Sequence, residues 1–281
     1  MEDELLLYKI KIFILRILGY DKPLRVAALK YLSLKFKTFR PHYETILLES
    51  VLEAKKIGYK SVSILELGVA GGNGIIALEK YRENIEKLTN IEINIYGFDT
   101  GEGLPEIKNK FDSPFLWKKG DFKIIGRDNL NKKIKSKVFY GEIKNTIDKF
   151  LESNPENIIA IFFDLDLYSS TSDFLNQIDK LKKFICPRVY CYFDDVFNPN
   201  HLIDEHSGEL LAIKEFNNKN TDIKIGKSLS NSNDFKFPLG KDNLFMLHNF
   251  THEMYDYYIG KENDTSLNIG DKKVHSIFDL K

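Results

Sequence analysis

Ile64-Leu65-Glu66-Leu67-Gly68-Val69-Ala70-Gly71-Gly72-Asn73-Gly74 is a short apolar run that breaks into a glycine-rich turn. Ile75–Leu88 follows it with amphipathic, helical spacing. Glycines in such a turn let the backbone take positive φ and approach a ligand closely, and the helix start beyond them presents free amides. In open α/β sheets, ligands sit outside the carboxyl ends of the strands, where the strand order reverses. Short runs rich in β-branched and aromatic residues stand at Ser63–Val69, which overlaps the start of this stretch, and at Ile91–Phe98, Lys137–Tyr140, Ile158–Phe163 and Arg188–Phe193. Between them lie the amphipathic segments Ile75–Leu88, Ile143–Leu151 and Ser172–Phe184, the last with Phe174, Leu175, Ile178 and Leu181 as its buried stripe and Ser170 with Asp173 as its capping box. The alternation predicts an α/β fold with a doubly wound, Rossmann-like parallel sheet, which the runs Ile223–Ile225 and Leu244–Leu247 would close.

Pro41 opens an earlier helix with Tyr43, Ile46, Leu47, Val51 and Ala54 on one stripe and Gly58 as its stop. Residues 1–40 read as an N-terminal helical extension, 41–250 as the Rossmann-like domain and 251–281 as a polar, aromatic tail. The apolar segment Leu5–Leu18 is interrupted by Lys9, Lys11 and Arg16 and is too short to span a bilayer. It suits a homodimer interface or a cover over the site, with a membrane-surface helix as the rival reading. Lysine plus arginine number 41 and aspartate plus glutamate number 41, so no basic excess points to a nucleic-acid partner. Cys186 and Cys191 have neither disulfide-framework nor zinc spacing and read as buried thiols. The acidic Glu2, Asp3 and Glu4 are unlike a secretory leader, and a cytoplasmic enzyme is the expectation.

Two cofactors could use the turn. Gly72-Asn73-Gly74-Ile75-Ile76-Ala77 formally satisfies the dinucleotide pattern G-x-G-x-x-A, and an NAD(P)-dependent oxidoreductase is the alternative class. Against it stands Glu66, two positions before the first glycine. A buried carboxylate there would repel a pyrophosphate, whereas a cationic sulfonium tolerates it. Acid-x-Gly before a glycine-rich turn resembles motif I of the S-adenosylmethionine methyltransferases. Glu66, Gly68, Gly72 and Gly74 are therefore candidate cofactor residues. Asp99, closing Tyr96-Gly97-Phe98-Asp99, suits a ribose in either class.

A second constellation is acidic. Phe163-Asp164-Leu165-Asp166 ends one strand and Phe193-Asp194-Asp195 ends the next. If those strands are neighbours, the carboxylates gather at one sheet edge and repel each other unless protonated or neutralised. Oxygen-only ligands favour a hard cation, magnesium first, with manganese or calcium behind it.

These motifs resemble the macrocin O-methyltransferase family of class I S-adenosylmethionine-dependent methyltransferases. The likeness rests on Glu66-Leu67-Gly68-Val69, on Gly97-Phe98-Asp99-Thr100-Gly101-Glu102-Gly103-Leu104-Pro105, on Asp164-Leu165-Asp166-Leu167-Tyr168-Ser169-Ser170-Thr171 and on Phe193-Asp194-Asp195. It runs from about Pro41 to about Phe216 and departs from the family at Gly101 and Val196-Phe197. It implies a sheet of about seven strands with the last antiparallel. It also implies S-adenosylmethionine as cofactor and a divalent metal on Asp164, Asp194 and Asp195, as in catechol O-methyltransferase, and Gly101, close after Asp99, is a further candidate cofactor residue. Asp166 then matches the general base, and His201 and His206 are rival bases, because histidine titrates nearer neutrality. His248 and His252 are further candidates to reach the pocket. The partner implied is a small-molecule hydroxyl acceptor, with sugars as the family's class. A non-catalytic protein retaining the fold is the remaining alternative.

Overall fold

The computed structural model describes residues 40–125, 127–196, 203–228 and 243–259. Residues 1–39, His201, most of the expected 227–233 loop and the tail beyond residue 259 lie outside them. In chain order the elements are α1 (Pro41–Ile57), β1 (Ser61–Leu67), α2 (Asn73–Thr89), β2 (Glu92–Asp99), α3 (Arg127–Lys133), β3 (Lys137–Tyr140), α4 (Ile143–Glu152) and β4 (Ile158–Phe163). They continue with α5 (Tyr168–Leu175), α6 (Ile178–Leu181), β5 (Ile185–Phe193), α7 (Gly208–Lys219), β6 (Ile223–Lys227) and β7 (Leu244–Asn249), and short 3-10 turns precede α3 and follow β5.

The strands form one seven-stranded sheet in the order β3-β2-β1-β4-β5-β7-β6. β7 runs antiparallel to both of its neighbours and the remaining pairings are parallel. The order reverses between β1 and β4, which makes their carboxyl ends the switch point. Register then decides what meets there. Leu67 pairs with Phe98 and with Phe163, and Phe163 pairs with Phe193. Gly68, Asp99, Asp164 and Asp194 therefore leave the sheet side by side.

Central parallel strands are covered on both faces, so they read as continuous apolar runs and not as alternation. All six residues of β4 are buried. Phe163 stacks on Phe193 at 4.1 Å and meets the edge of Phe174 at 5.4 Å, so the residues one step before Asp164 and Asp194 are locked together. Cys186 and Cys191 are both buried on β5, as expected. Helix α1 begins at Pro41 and stops at Gly58, whose φ of 105° is the left-handed cap that glycine favours.

The segment expected as one helix over Ser172–Phe184 is instead two short helices and a 3-10 turn starting at Tyr168. The Ser170–Asp173 capping box does not form, because Ser170 already lies inside the helix and Asp173 binds Lys108 at 2.8 Å. The Ser169 amide is satisfied by Asp112 at 2.7 Å, from a loop 57 residues earlier. The stripe Phe174, Leu175, Ile178 and Leu181 is buried as the spacing required. No helix among the described residues is long and apolar enough to cross a membrane.

Candidate active site

β1 stops at Leu67 because Gly68 turns the chain at φ 88°. The Gly68 amide donates to the Phe98 carbonyl at 2.8 Å, and the Asp164 amide donates to the Leu67 carbonyl at 2.8 Å, so this strand end is stitched to both neighbours. A Cβ on Gly68 would lie 1.8 Å from the Asp164 carbonyl oxygen, so no larger residue fits. Asp99 then organises the turn. Its Oδ2 accepts the amides of Val69 and Ala70, both at 2.9 Å, and its Oδ1 accepts the Gly101 amide at 2.5 Å.

Of the six residues expected to hold a cofactor, Gly68 and Asp99 line the cavity described below, and Glu66, Gly72, Gly74 and Gly101 are not among its lining residues. These four build its wall from behind. Gly74 has no Cβ because Glu66 Oε1 fills that space, Gly72 faces the Leu130 side chain, and Gly101 lies under the Arg127 guanidinium. Glu66 is 1% exposed, and its Oε2 has no hydrogen-bond partner. Burial, with Asp164 adding to it, holds the Glu66 carboxyl well above the usual carboxylate range.

The β4 and β5 ends bring the acidic residues together. One carboxylate oxygen each from Asp164, Asp166 and Asp195 lie within 4.8 Å of one another. The closest trio thus contains Asp166, where Asp194 was expected from the resemblance. Asp194 lines the same cavity, and its Oδ1 accepts the Tyr192 hydroxyl at 2.8 Å. Asp166 takes a left-handed φ of 59°, which turns its amide to Asp195 Oδ2 at 3.1 Å. An aspartate tolerates that conformation better than most residues. Burial, reinforced by Asp194 for the first and by Asp164 for the second, pushes the carboxyls of Asp164 and Asp166 up to about 7. Asp195 is likewise held well above the usual carboxylate range, chiefly by burial and then by Asp166.

The backbone under this edge is fixed from two directions. Asn243 donates to the carbonyls of Phe193 and Asp194 at 2.6 and 2.9 Å. The Asp195 amide donates at 3.2 Å to Glu209 on α7, a carboxyl that is 1% exposed and whose other oxygen has no hydrogen-bond partner. Arg40, immediately before α1, reaches within 3.7 Å of Asp164. Sequence reading missed Arg40, Glu209 and Asn243. Each comes from an element remote in the chain, and no local pattern marks it.

The histidines fare differently. His201 lies outside the described residues. His206 is exposed, 4.0 Å from Glu205, and does not line the cavity. His248 and His252, read as able to reach the pocket, do not. His248 pairs with Arg188, six residues before Asp194 on β5, which puts it roughly 20 Å up the strand at the opposite sheet edge. There it contacts the Tyr255 hydroxyl at 2.9 Å, while His252 contacts that of Tyr59 at 3.3 Å.

A cavity of about 570 Å³ opens over the switch point. Gly68, Ala70, Gly71 and Asn73 form one wall, and Leu104, Trp117 and Phe122 form the other. Among the described residues, Asp99, Glu142, Asp164, Asp166, Asp173, Asp194 and Asp195 line it against Arg40, Lys108 and Lys123. All three cations are engaged by carboxylates, with Asp164, Asp173 and Glu102 at 3.7, 2.8 and 2.6 Å. The lining thus holds seven carboxyl groups against three cations. A smaller cleft of about 280 Å³ between α5, α6 and α7 includes none of the strand-end aspartates.

No protein-family model matches this chain, and no curated protein matches it. Among solved structures it is similar to the calicheamicin methyltransferase CalS11, at 24% identity over 63% of this chain and 72% of that one, with a TM-score of 0.47. An apo structure of CalS11, a TDP-rhamnose 3'-O-methyltransferase, is 20% identical over 75% of this chain and 81% of that one, with a TM-score of 0.42. An O-methyltransferase from Bacillus cereus in complex with SAH is 14% identical over 85% and 96%, with a TM-score of 0.38. Likenesses at this level decide neither the reaction nor the acceptor, and the fold stands on the strand order given above.

Proposed function

We propose that this chain is an S-adenosylmethionine-dependent methyltransferase that methylates a hydroxyl of a small molecule, with a divalent cation, magnesium or manganese, at the β4–β5 edge. The observation that carries the proposal is the acid-lined cavity over the Gly68–Gly71 turn at the switch point. An excess of carboxylates suits a sulfonium and a divalent cation, and it opposes the pyrophosphate of a nicotinamide dinucleotide. The carboxylate-only donor set fits a hard cation by the same chemistry.

Asp164 and Asp195 would hold the cation, with Asp194 or Asp166 as the third ligand. When bound, such an ion polarises an acceptor oxygen and lowers its pKa. The residues of the chain supply the rest. Gly71, where a Cβ would meet open space, leaves that side of the turn bare where the cofactor would lie, and Asp99 fixes the turn's shape through three amides. Asp166 lines the cavity beside Asp164, and burial with that neighbour raises its carboxyl to about 7, which suits acceptance of the hydroxyl proton. Trp117 and Phe122, with ring centroids 5.7 Å apart, offer an aromatic wall for the face of an acceptor, which fits a sugar ring among other small molecules.

Isothermal titration with S-adenosylhomocysteine, and separately with NADH, in magnesium and in EDTA, tests the reading. Saturable binding of S-adenosylhomocysteine without NADH binding is expected. NADH binding without S-adenosylhomocysteine binding would replace the proposal with the oxidoreductase class.

A further inference from the structure

We propose that Arg40 is a tethered counter-ion that sets how tightly the β4–β5 carboxylates hold their divalent cation. The inference rests on the metal reading above and adds a determinant of affinity from outside the ligand set.

The observations are geometric. Arg40 sits directly before Pro41, and proline disfavours the right-handed helical conformation in the residue preceding it. Arg40 adopts φ 52° and ψ 64° there, a left-handed conformation that ends at the first turn of α1. Its guanidinium lines the cavity, where Nη1 donates to the Tyr43 hydroxyl at 2.7 Å and stands 3.7 Å from Asp164 Oδ2. The guanidinium carbon is 4.9 Å from the centre of the Tyr43 ring. That ring is fully buried, 4.4 Å from Phe162 and 5.6 Å from Tyr192, so the cation rests on a fixed support. The groups facing it are acidic: Asp164 first, then Asp194 and Glu66. His42, the neighbouring base, is held neutral because burial and Arg40 lower it to about 4.

An arginine is always charged, so the Asp164 side of the cluster carries a permanent positive partner. A divalent ion entering the cluster meets that charge at short range. Coupling between the two cations is reciprocal and unfavourable. Removing the guanidinium leaves the metal-free cluster with one more uncompensated negative charge, and its affinity for an exchangeable cation must rise. A merely structural role predicts the opposite sign, since a loosened site binds metal more weakly.

The test is titration of cofactor-free protein with Mn2+, reading the free ion by electron paramagnetic resonance. Wild type is compared with Arg40→Gln, with Arg40→Met, which keeps an apolar stem over the Tyr43 ring should the glutamine fail to fold, and with Arg40→Lys. The Gln and Met variants are expected to bind Mn2+ on the order of tenfold more tightly, and Lys to stay within about threefold of wild type. Unchanged or weaker binding by either folded neutral variant, with wild type saturable, overturns the role of Arg40 and leaves the metal reading standing. Absence of saturable Mn2+ binding in wild type and variants alike overturns both.

Discussion

Asp99 and Asp164 leave the sheet on either side of β1, from strand ends that share one register, yet their surroundings are opposite. Asp99 gives both oxygens to the backbone amides of Val69, Ala70 and Gly101. Asp164 faces Asp166 and Asp195, with Arg40 at 3.7 Å as its ion-pair partner. One side of the cavity is thus built by hydrogen bonds that hold a loop in shape. The other is built by charge and burial, which push carboxyls upward and leave their state dependent on pH and on cations. The contrast teaches a division of labour: a turn held in one shape by hydrogen bonds beside an acidic edge whose charge depends on its surroundings.

Four substitutions break or sharpen that comparison. The largest effect belongs to the acidic side. Asp166→Asn should lower turnover by about 100-fold or more, with S-adenosylhomocysteine affinity within about twofold. Undiminished methyl transfer to a hydroxylated acceptor found by screening with the wild type would remove Asp166 as base. On the bonded side, Asp99→Ala strips three amides of their acceptor. A stability loss of about 2–4 kcal/mol in urea unfolding, together with weakened S-adenosylhomocysteine binding, is expected. Stability within error of wild type would mean the loop holds itself.

The third concerns pH. Asp164 and Asp166 have folded values raised to about 7 from 3.8, so the folded protein retains protons that the unfolded chain releases. Their contribution to stability is complete below about pH 4 and is lost as pH rises through about 7. Asp195→Asn removes a negative neighbour and lessens that loss. In EDTA the variant should therefore gain on wild type between pH 5 and pH 8, by about 1–2 kcal/mol at the upper end. A difference independent of pH would show the cluster to be uncharged throughout. The smallest effect is expected at His206, whose side chain is 75% exposed outside the cavity. His206→Ala should leave turnover within about twofold of wild type. A larger fall would bring the histidine back as a rival base.

Much of this was legible in the chain because the decisive residues are local. The strand-turn-helix at Leu65–Ile75 and the two aspartate pairs are contiguous motifs, and the parallel register carries them to one edge. What was not legible had a tertiary cause. The glycines at 72, 74 and 101 also make room for Leu130, Glu66 and Arg127, a packing role that sequence spacing does not reveal. The expected capping box at Ser170 gave way to long-range bonds from Lys108 and Asp112. Arg40, Glu209 and Asn243 reach the aspartates from three separate elements, and each alone reads as an ordinary polar residue.

We propose that a sulfonium cofactor and a divalent cation share this cavity. A crystal grown with S-adenosylhomocysteine and Mn2+, with data collected at the manganese edge, tests it most directly. One anomalous peak is expected, bounded by the carboxylates of Asp164 and Asp195 and a third from Asp194 or Asp166, with the nucleoside against the Gly68–Gly71 turn. A nucleoside bound there with no anomalous density at the aspartates would contradict the metal, and a ligand lying outside the cavity would contradict the account as a whole.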